Sequence, residues 1–276
     1  MPRIIYKNIG ETPLQALERF RSACIHNADE CPNNQSWNDV PMTYAGRLDP
    51  MAEGKLMILI GDECKEKSKY LCLNKEYEVE ILLGIRTDTY DALGIADLDV
   101  LKFGQTGGSG LVESKEMGKI SKVELQKVAE FINQQSFNKY IGKFEQKYPP
   151  YSSKTVNGKQ LHDLARSNDL PGEMPTKEVE IFSIELLNER KVECITSDRL
   201  LDEVISRIRS IKGDFRQDEI IQSWKSLLEN KEGNWPRFNV RVNCSSGTYM
   251  RSLANTIGGD LGVGGIALHI NRTRIG

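Results

Sequence analysis

No stretch of this 276-residue chain approaches the roughly 20 consecutive apolar residues that a membrane-spanning helix requires. Its first residues, Met1-Pro2-Arg3-Ile4-Ile5-Tyr6-Lys7, lack the apolar core of a secretion signal, so a cytoplasmic location is expected. The six cysteines, Cys24, Cys31, Cys64, Cys72, Cys194 and Cys244, form no Cys-x-x-Cys pair, which speaks against a zinc ribbon and against a disulfide framework. Cys24, His26 and Cys31 have no evident fourth donor to close a zinc site, and no metal is expected. A P-loop and a dinucleotide fingerprint are missing, as are tandem repeats and low-complexity tracts. Excess positive charge is missing too. With 37 Lys and Arg against 39 Asp and Glu, the net charge is −2 and the pI about 6.1, unlike a protein that coats nucleic acid indiscriminately.

What the chain does contain is a series of periodic segments. Hydrophobic residues make up 39% and charged residues 28%, the balance of a soluble globular protein. The length suits one large domain, or one domain carrying a substantial insertion. Thr12-Pro13-Leu14-Gln15 is a capping box with proline at the first helical position; it predicts a helix from Pro13 to about Ser22, with Leu14, Leu17 and Phe20 turned inward. Residues 27–41 and 104–110 read as surface loops. Tyr77, Val79, Ile81 and Leu83 alternate with Glu76, Glu78, Glu80 and Leu82, the period of a half-buried strand with Tyr77 on its core side. A second capping box, Ser121-Lys122-Val123-Glu124, opens a helix with Leu125, Val128, Ala129 and Ile132 in one stripe. A short helix follows near 159–167, then paired strands at 179–187 and 191–195. A strand through Phe238, Val240, Val242 and Cys244 feeds a turn and a helix from about Tyr249 to Ile257.

Two further stripes lie between 196 and 236. Leu201, Val204, Ile205, Ile208 and Ile211 form one, and Ile220, Ile221, Trp224, Leu227 and Leu228 the other, with Gly213-Asp214 between them. They predict a helical hairpin inserted into the sheet domain, and its mixed charges suggest packing rather than phosphate binding. Cations cluster elsewhere, at Lys139, Lys143, Lys147, Lys154 and Lys159, opposed only by Glu145. A solvated loop and a phosphate-binding surface are both open readings of that run.

The stretch from Tyr44 to Gly54 reads Tyr-Ala-Gly-Arg-Leu-Asp-Pro-Met-Ala-Glu-Gly and sets one carboxylate, Asp49, in a loop ahead of the apolar run Leu56-Met57-Ile58-Leu59-Ile60. Gly46 and Gly54 permit backbone angles or approaches that a side chain blocks, and Pro50 stiffens the chain after the acid. Alone, Leu-Asp-Pro is also an ordinary turn. The stretch resembles the catalytic loop of the TruB family of pseudouridine synthases, roughly Gly-x-Leu-Asp-Pro-x-Ala-x-Gly. Further segments resemble that family in its order: Tyr77 with Leu83 to Gly94, Gln146 to Lys154 running to Ala165-Arg166, Cys244 to Leu253, and Arg272 to Gly276. The chain departs from the pattern at Asn8, where the family usually has proline, at Tyr44, where many members have histidine, and in the extra residues 196–236.

The resemblance implies an α+β pseudouridine synthase fold, with a mixed, mostly antiparallel central sheet flanked by helices. Residues 1–276 would form the catalytic domain, with the 196–236 hairpin inside it and no C-terminal RNA-binding domain. It implies a tRNA pseudouridine-55 synthase that isomerises a T-arm uridine without a cofactor, acting on tRNA as a monomer. Asp49 would be the catalytic carboxylate. In a pocket that excludes water such an acid needs a counter-charge, which the resemblance assigns to Arg251; loss of Arg251 is expected to leave Asp49 buried and unpaired. Tyr77 matches the family's tyrosine that stacks on the extruded base, with Tyr249 as a second ring. Tyr44 can wedge and stack but cannot carry imidazole's charge. Arg47, Lys7, Lys154 and Lys159 are candidate phosphate contacts, and Ile270 closes the apolar side of the pocket. Two other readings stay open: a guide-RNA-dependent synthase of the same family, and an RNA-binding or RNA-folding module that has lost catalysis.

Overall fold

The computed structural model describes residues 2–26, 36–97, 128, 132–187 and 192–276. Outside them fall the expected loop at 104–110, most of the one at 27–41, Lys191, and the start of the helix expected after Ser121. Two members of that helix's stripe are described, and both Val128 and Ile132 are buried, with the Ile132 amide donating to the Val128 carbonyl at 3.0 Å.

In chain order the elements are β1 (Arg3–Lys7), α1 (Pro13–His26), β2 (Met42–Ala45), β3 (Ala52–Ile60), α2 (Lys67–Leu71), β4 (Lys75–Leu83), and the short pair β5 (Arg86–Thr87) and β6 (Ala96–Asp97). The second half comprises β7 (Gly142–Lys147), the short pair β8 (Thr155–Val156) and β9 (Lys159–Gln160), α3 (Leu161–Arg166), β10 (Thr176–Leu187), β11 (Glu193–Thr196), α4 (Ser197–Ser210), α5 (Gln217–Leu228), β12 (Asn234–Cys244), α6 (Met250–Asp260) and β13 (Gly265–Ile275). Nine strands make one sheet in the order β1-β3-β13-β4-β12-β10-β7, with β2 joined to β3 and β11 to β12. Its pairings are antiparallel apart from β3 with β13. This is the α+β architecture the sequence led us to expect.

Alternation in β4 decides which face is which. Tyr77, Val79, Ile81 and Leu83 point into a core shared with Val240 and Val242 of β12 and with Leu253, Ala254 and Ile257 of α6. The intervening Glu78 lies opposite Arg241 in the ladder and its carboxylate meets that guanidinium at 2.8 Å, a cross-strand pair on the polar face. Farther along the same face, Leu82, Ile266 and Leu268 are covered by Leu200, Val204 and Ile208 of α4 and by Ile220, Trp224 and Leu228 of α5. Each such buried side chain contributes about 1.5–3 kcal/mol, which holds the helical pair flat on the sheet.

Two expectations require correction. Helix α1 does begin with the capping box, for the Thr12 amide donates to Gln15 Oε1 at 2.8 Å and the Gln15 amide to Thr12 Oγ1 at 3.2 Å. Leu14, however, is 57% exposed, because the first turn stands at the rim of a cleft rather than over the core. The segments expected to pair at 179–187 and 191–195 do not pair with each other. Strand β10 runs along β12 from Ile181 opposite Cys244 to Leu187 opposite Asn239, and β11 continues along that edge from Glu193 opposite Arg237 to Thr196 opposite Asn234. At 11 residues, β12 is long enough to receive both end to end, while β4 occupies its other edge.

Candidate active site

A cleft of about 800 Å³ opens where the ends of β2, β4, β10 and β12 meet the start of α6, and Asp49 lines it. The loop from β2 to β3 is tied down from three sides. Gly46 turns it with φ 82°, the Gly10 amide donates to the Pro50 carbonyl at 2.9 Å, and the Ala52 amide closes a turn onto the Asp49 carbonyl at 3.0 Å. Below it, the ammonium of Lys7 donates to the carbonyls of Ala52 at 2.5 Å and Asn8 at 3.0 Å. From β13, the Arg272 guanidinium donates to the carbonyls of Lys55 at 2.7 Å, Arg47 at 3.3 Å and Gly46 at 3.4 Å. β2 and β13 take successive parts of one edge of β3, and Arg272 fills the gap between them. Asp49 is thus presented on a loop whose two ends are held by buried cations, Arg272 at Gly46 and Arg47, and Lys7 at Ala52.

Arg251 arrives from β12, across β13 and β4 in the sheet. After β12 the chain turns through Gly247, with φ 80° and the Thr248 hydroxyl on the Ser245 carbonyl at 3.0 Å. Gln146 then clamps the backbone of Tyr249 at both ends, accepting from its amide at 2.8 Å and donating to its carbonyl at 3.1 Å. Arg251 follows in the first turn of α6, 3% exposed. Its Nε donates to Asp49 Oδ2 at 2.8 Å, Nη1 to the Thr89 carbonyl at 2.7 Å and Nη2 to the Tyr151 carbonyl at 3.2 Å. A second carboxylate, Asp91, stands 3.6 Å from Nε. Burial works against the charge on Arg251, but Asp49 and Asp91 outweigh it and hold its pKa above the ordinary arginine value.

The two acids differ in exposure. The Asp49 side chain is 38% exposed to the cleft, whereas that of Asp91 is 6% exposed. The expectation of a buried Asp49 is therefore corrected: the buried acid beside Arg251 is Asp91. Its own burial pushes it up to about 6, against the pull of the Arg251 guanidinium. Tyr90, between Thr89 and Asp91, has the left-handed φ of 65°, and that kink turns the Thr89 carbonyl and the Asp91 carboxylate toward the same guanidinium.

The structure brings Tyr44, Arg47, Asp49, Tyr77, Tyr249, Arg251 and Ile270 together around the cleft. Tyr77 and Ile270 are buried at its wall, Arg47 is exposed at its mouth, and Tyr44 lies half-buried with the Lys67 ammonium 5.2 Å from its ring centre. Tyr249 packs edge-on to Tyr148 at 5.5 Å, and burial, with Asp49 nearby, pushes its phenol up to about 12. Lys7 does not join them. It is 0% exposed and bonded to carbonyls, with burial lowering its pKa to about 8, so a phosphate cannot reach it. Lys154 and Lys159 are exposed on the segment beyond Tyr151, with Lys154 over the Tyr148 ring at 5.4 Å. Sequence reasoning passed over Asp91, Gln146 and Arg272 as site residues. Arg272 had a legible signal, because two residues after Ile270 on one strand an arginine falls on the inward face.

A family model described as "TruB family pseudouridylate synthase (N terminal domain)" matches residues 40–105 and 100–198. The chain belongs to the TruB family. Among curated TruB relatives, the "tRNA pseudouridine synthase B" of Bifidobacterium longum subsp. infantis is 32% identical over 238 residues, covering 84% of this chain and 55% of that protein. The protein of the same name from Chloroherpeton thalassium is 29% identical over 274 residues, covering 99% and 82%. This chain thus spans little more than half the length of the first of these. A solved structure titled "Crystal Structure of a Cbf5-Nop10-Gar1 Complex" matches at a TM-score of 0.48 and 17% identity, covering 99% of this chain and 48% of that one. Among the described residues no helix is long and apolar enough to cross a membrane.

Proposed function

We propose that this TruB-family chain is a tRNA pseudouridine-55 synthase that isomerises a T-arm uridine, acting as a monomeric cytoplasmic enzyme with residues 1–276 as its catalytic domain. The observation that carries the reading is the Asp49–Arg251 contact at 2.8 Å inside a cleft walled by Tyr77. Relatives named tRNA pseudouridine synthase B support the choice of tRNA. The reaction breaks the bond from uracil N1 to ribose C1′ and forms one from C5 to C1′; C5 gives up a proton and N1 gains one. Substrate and product are isomers, so no oxidant, reductant or group donor is consumed, and the proposal includes no metal and no cofactor.

In this reading the uridine is extruded from the RNA at a cost of a few kcal/mol, and stacking against Tyr77 offsets about 1–3 kcal/mol of it. Asp49 acts as the ionised carboxylate. Arg251 holds it in place and keeps a positive charge beside it when the base displaces water. Tyr44, Tyr249 and Ile270 shape the pocket, and Arg47, Lys154 and Lys159 meet phosphates. The test is carbodiimide labelling and primer extension on an unmodified tRNA transcript incubated with the wild type or the Asp49→Ala protein. A T-arm stop that appears only with the wild type is expected; no stop with tRNA binding intact overturns the proposal.

A further inference from the structure

The helical pair α4–α5 reaches beyond the sheet face it covers. Its tip places Phe215 and Arg216 on the wall of the cleft. Arg216 has φ 62°, a left-handed backbone that is costly for a residue with a side chain, and it lies directly before α5. Its guanidinium meets Asp88 Oδ2 at 2.9 Å and stacks 4.3 Å over the ring of Tyr151. Burial and the Asp88 carboxylate push the Tyr151 phenol up to about 12, as befits a ring enclosed between the two segments.

These contacts converge on Arg251. The carbonyls that hold its guanidinium belong to Thr89, next to Asp88, and to Tyr151 itself. Helix α5 grips the same loop at two more points, for Ser223 Oγ accepts from the Ala96 amide at 3.0 Å and the buried Trp224 Nε1 donates to the Gly94 carbonyl at 3.2 Å. Asp88 closes the loop on itself by accepting from the Ile95 amide at 2.8 Å. Gly94 is required there, because a Cβ would strike the side chains of Asp88 and Thr89.

We infer that the helical pair is a positioning element of the reaction centre: Arg216 pins Asp88 to Tyr151, and so fixes the two carbonyls that aim Arg251 at Asp49. Arg216 is a positioning residue, since it acts through Thr89, Tyr151 and Arg251. The inference rests on the synthase reading for its effect on rate, but not for its effect on structure.

The experiment compares wild type, Arg216→Ala, Arg216→Lys and Ser223→Ala, with thermal midpoints checked for each. In single-turnover assays at saturating tRNA transcript, Arg216→Ala is expected to slow pseudouridine formation about 10- to 100-fold, the scale of an ångström-sized misplacement, with tRNA affinity kept within about threefold. Arg216→Lys retains a charge for Asp88 but not the planar stack on Tyr151, and is expected to fall between. In parallel, the Arg251 Nε–H signal in nitrogen–proton spectra, assigned by its loss in Arg251→Lys, is expected to shift and broaden in Arg216→Ala. Exchange of the Ile95 and Ala96 amides is expected to quicken about tenfold in Arg216→Ala or Ser223→Ala. An unchanged Nε–H signal, an unchanged saturating rate, or a defect confined to tRNA affinity overturns the inference. Should the wild type itself make no pseudouridine, the synthase reading fails, while the spectral and exchange measurements still decide whether the tip positions Arg251.

Discussion

Asp49 and Arg251 are 202 positions apart in sequence and 2.8 Å apart in space. The guanidinium is spent entirely on oxygen acceptors, two of them carbonyls. Arg251→Leu leaves Asp91 buried beside those carbonyls without a counter-charge. The expected loss of stability is about 3–5 kcal/mol, measured by urea unfolding, together with loss of product.

Asp91 gives the fold's stability a pH dependence of its own. A carboxyl whose folded pKa is raised stabilises the fold fully below its ordinary value of 3.8, and that contribution is lost as the pH rises through about 6. Unfolding curves of the wild type are expected to contain this component between those values. In Asp91→Asn it should disappear, and a component of undiminished size in that variant would show that another group is titrating.

Tyr77 is tested by chemistry rather than by size. Phenylalanine keeps the ring and alanine removes it, so Tyr77→Phe is expected to retain tRNA binding and Tyr77→Ala to lose about 1–3 kcal/mol of stacking. The measurement is the rate of pseudouridine formation at subsaturating tRNA, alongside the thermal midpoint.

The lysines separate into two kinds. Lys154→Ala and Lys159→Ala should each weaken tRNA binding and reduce the slope of log affinity against log salt by about 1. Lys7→Met should leave that slope alone and lower the thermal midpoint, because it removes the buried donor to the Ala52 carbonyl and leaves the Asn8 carbonyl only the Glu11 amide. A changed salt slope for Lys7→Met would return that residue to the RNA surface.

Gly54→Ala probes the frame of the Asp49 loop. Gly54 has φ 110° and lies against the backbone of Arg272, where a Cβ cannot fit. The substitution is expected to cost more than ~1 kcal/mol, readable as a lower urea midpoint.

Local pattern in the sequence carries much of this architecture. The alternation of Tyr77 to Leu83 gave β4 its inward face, the Thr12–Gln15 box gave α1 its start, and the two apolar stripes after 196 gave helices. What stayed hidden depends on who lies next to whom. Leu14 has the spacing of a core residue, and only the position of α1 at the rim of the cleft exposes it. Lys7 resembles a phosphate ligand until Ala52 is found above it. Asp91 sits in one of the matching segments, yet its pairing with Arg251 follows from a left-handed Tyr90 that composition does not announce.

The attachment of α4 and α5 has one more consequence. β11 pairs with β12 up to Thr196 opposite Asn234, and the Ser197 amide donates to the Gly233 carbonyl at 3.1 Å, so the ladder shuts before the first helix begins. Register in β12 is settled at that neck and along its other edge, whatever hangs beyond. Growth, trimming or exchange of the pendant segment is therefore topologically silent. This is a point at which a chain with an unchanging sheet can acquire a new wall for its cleft without shifting a single strand contact.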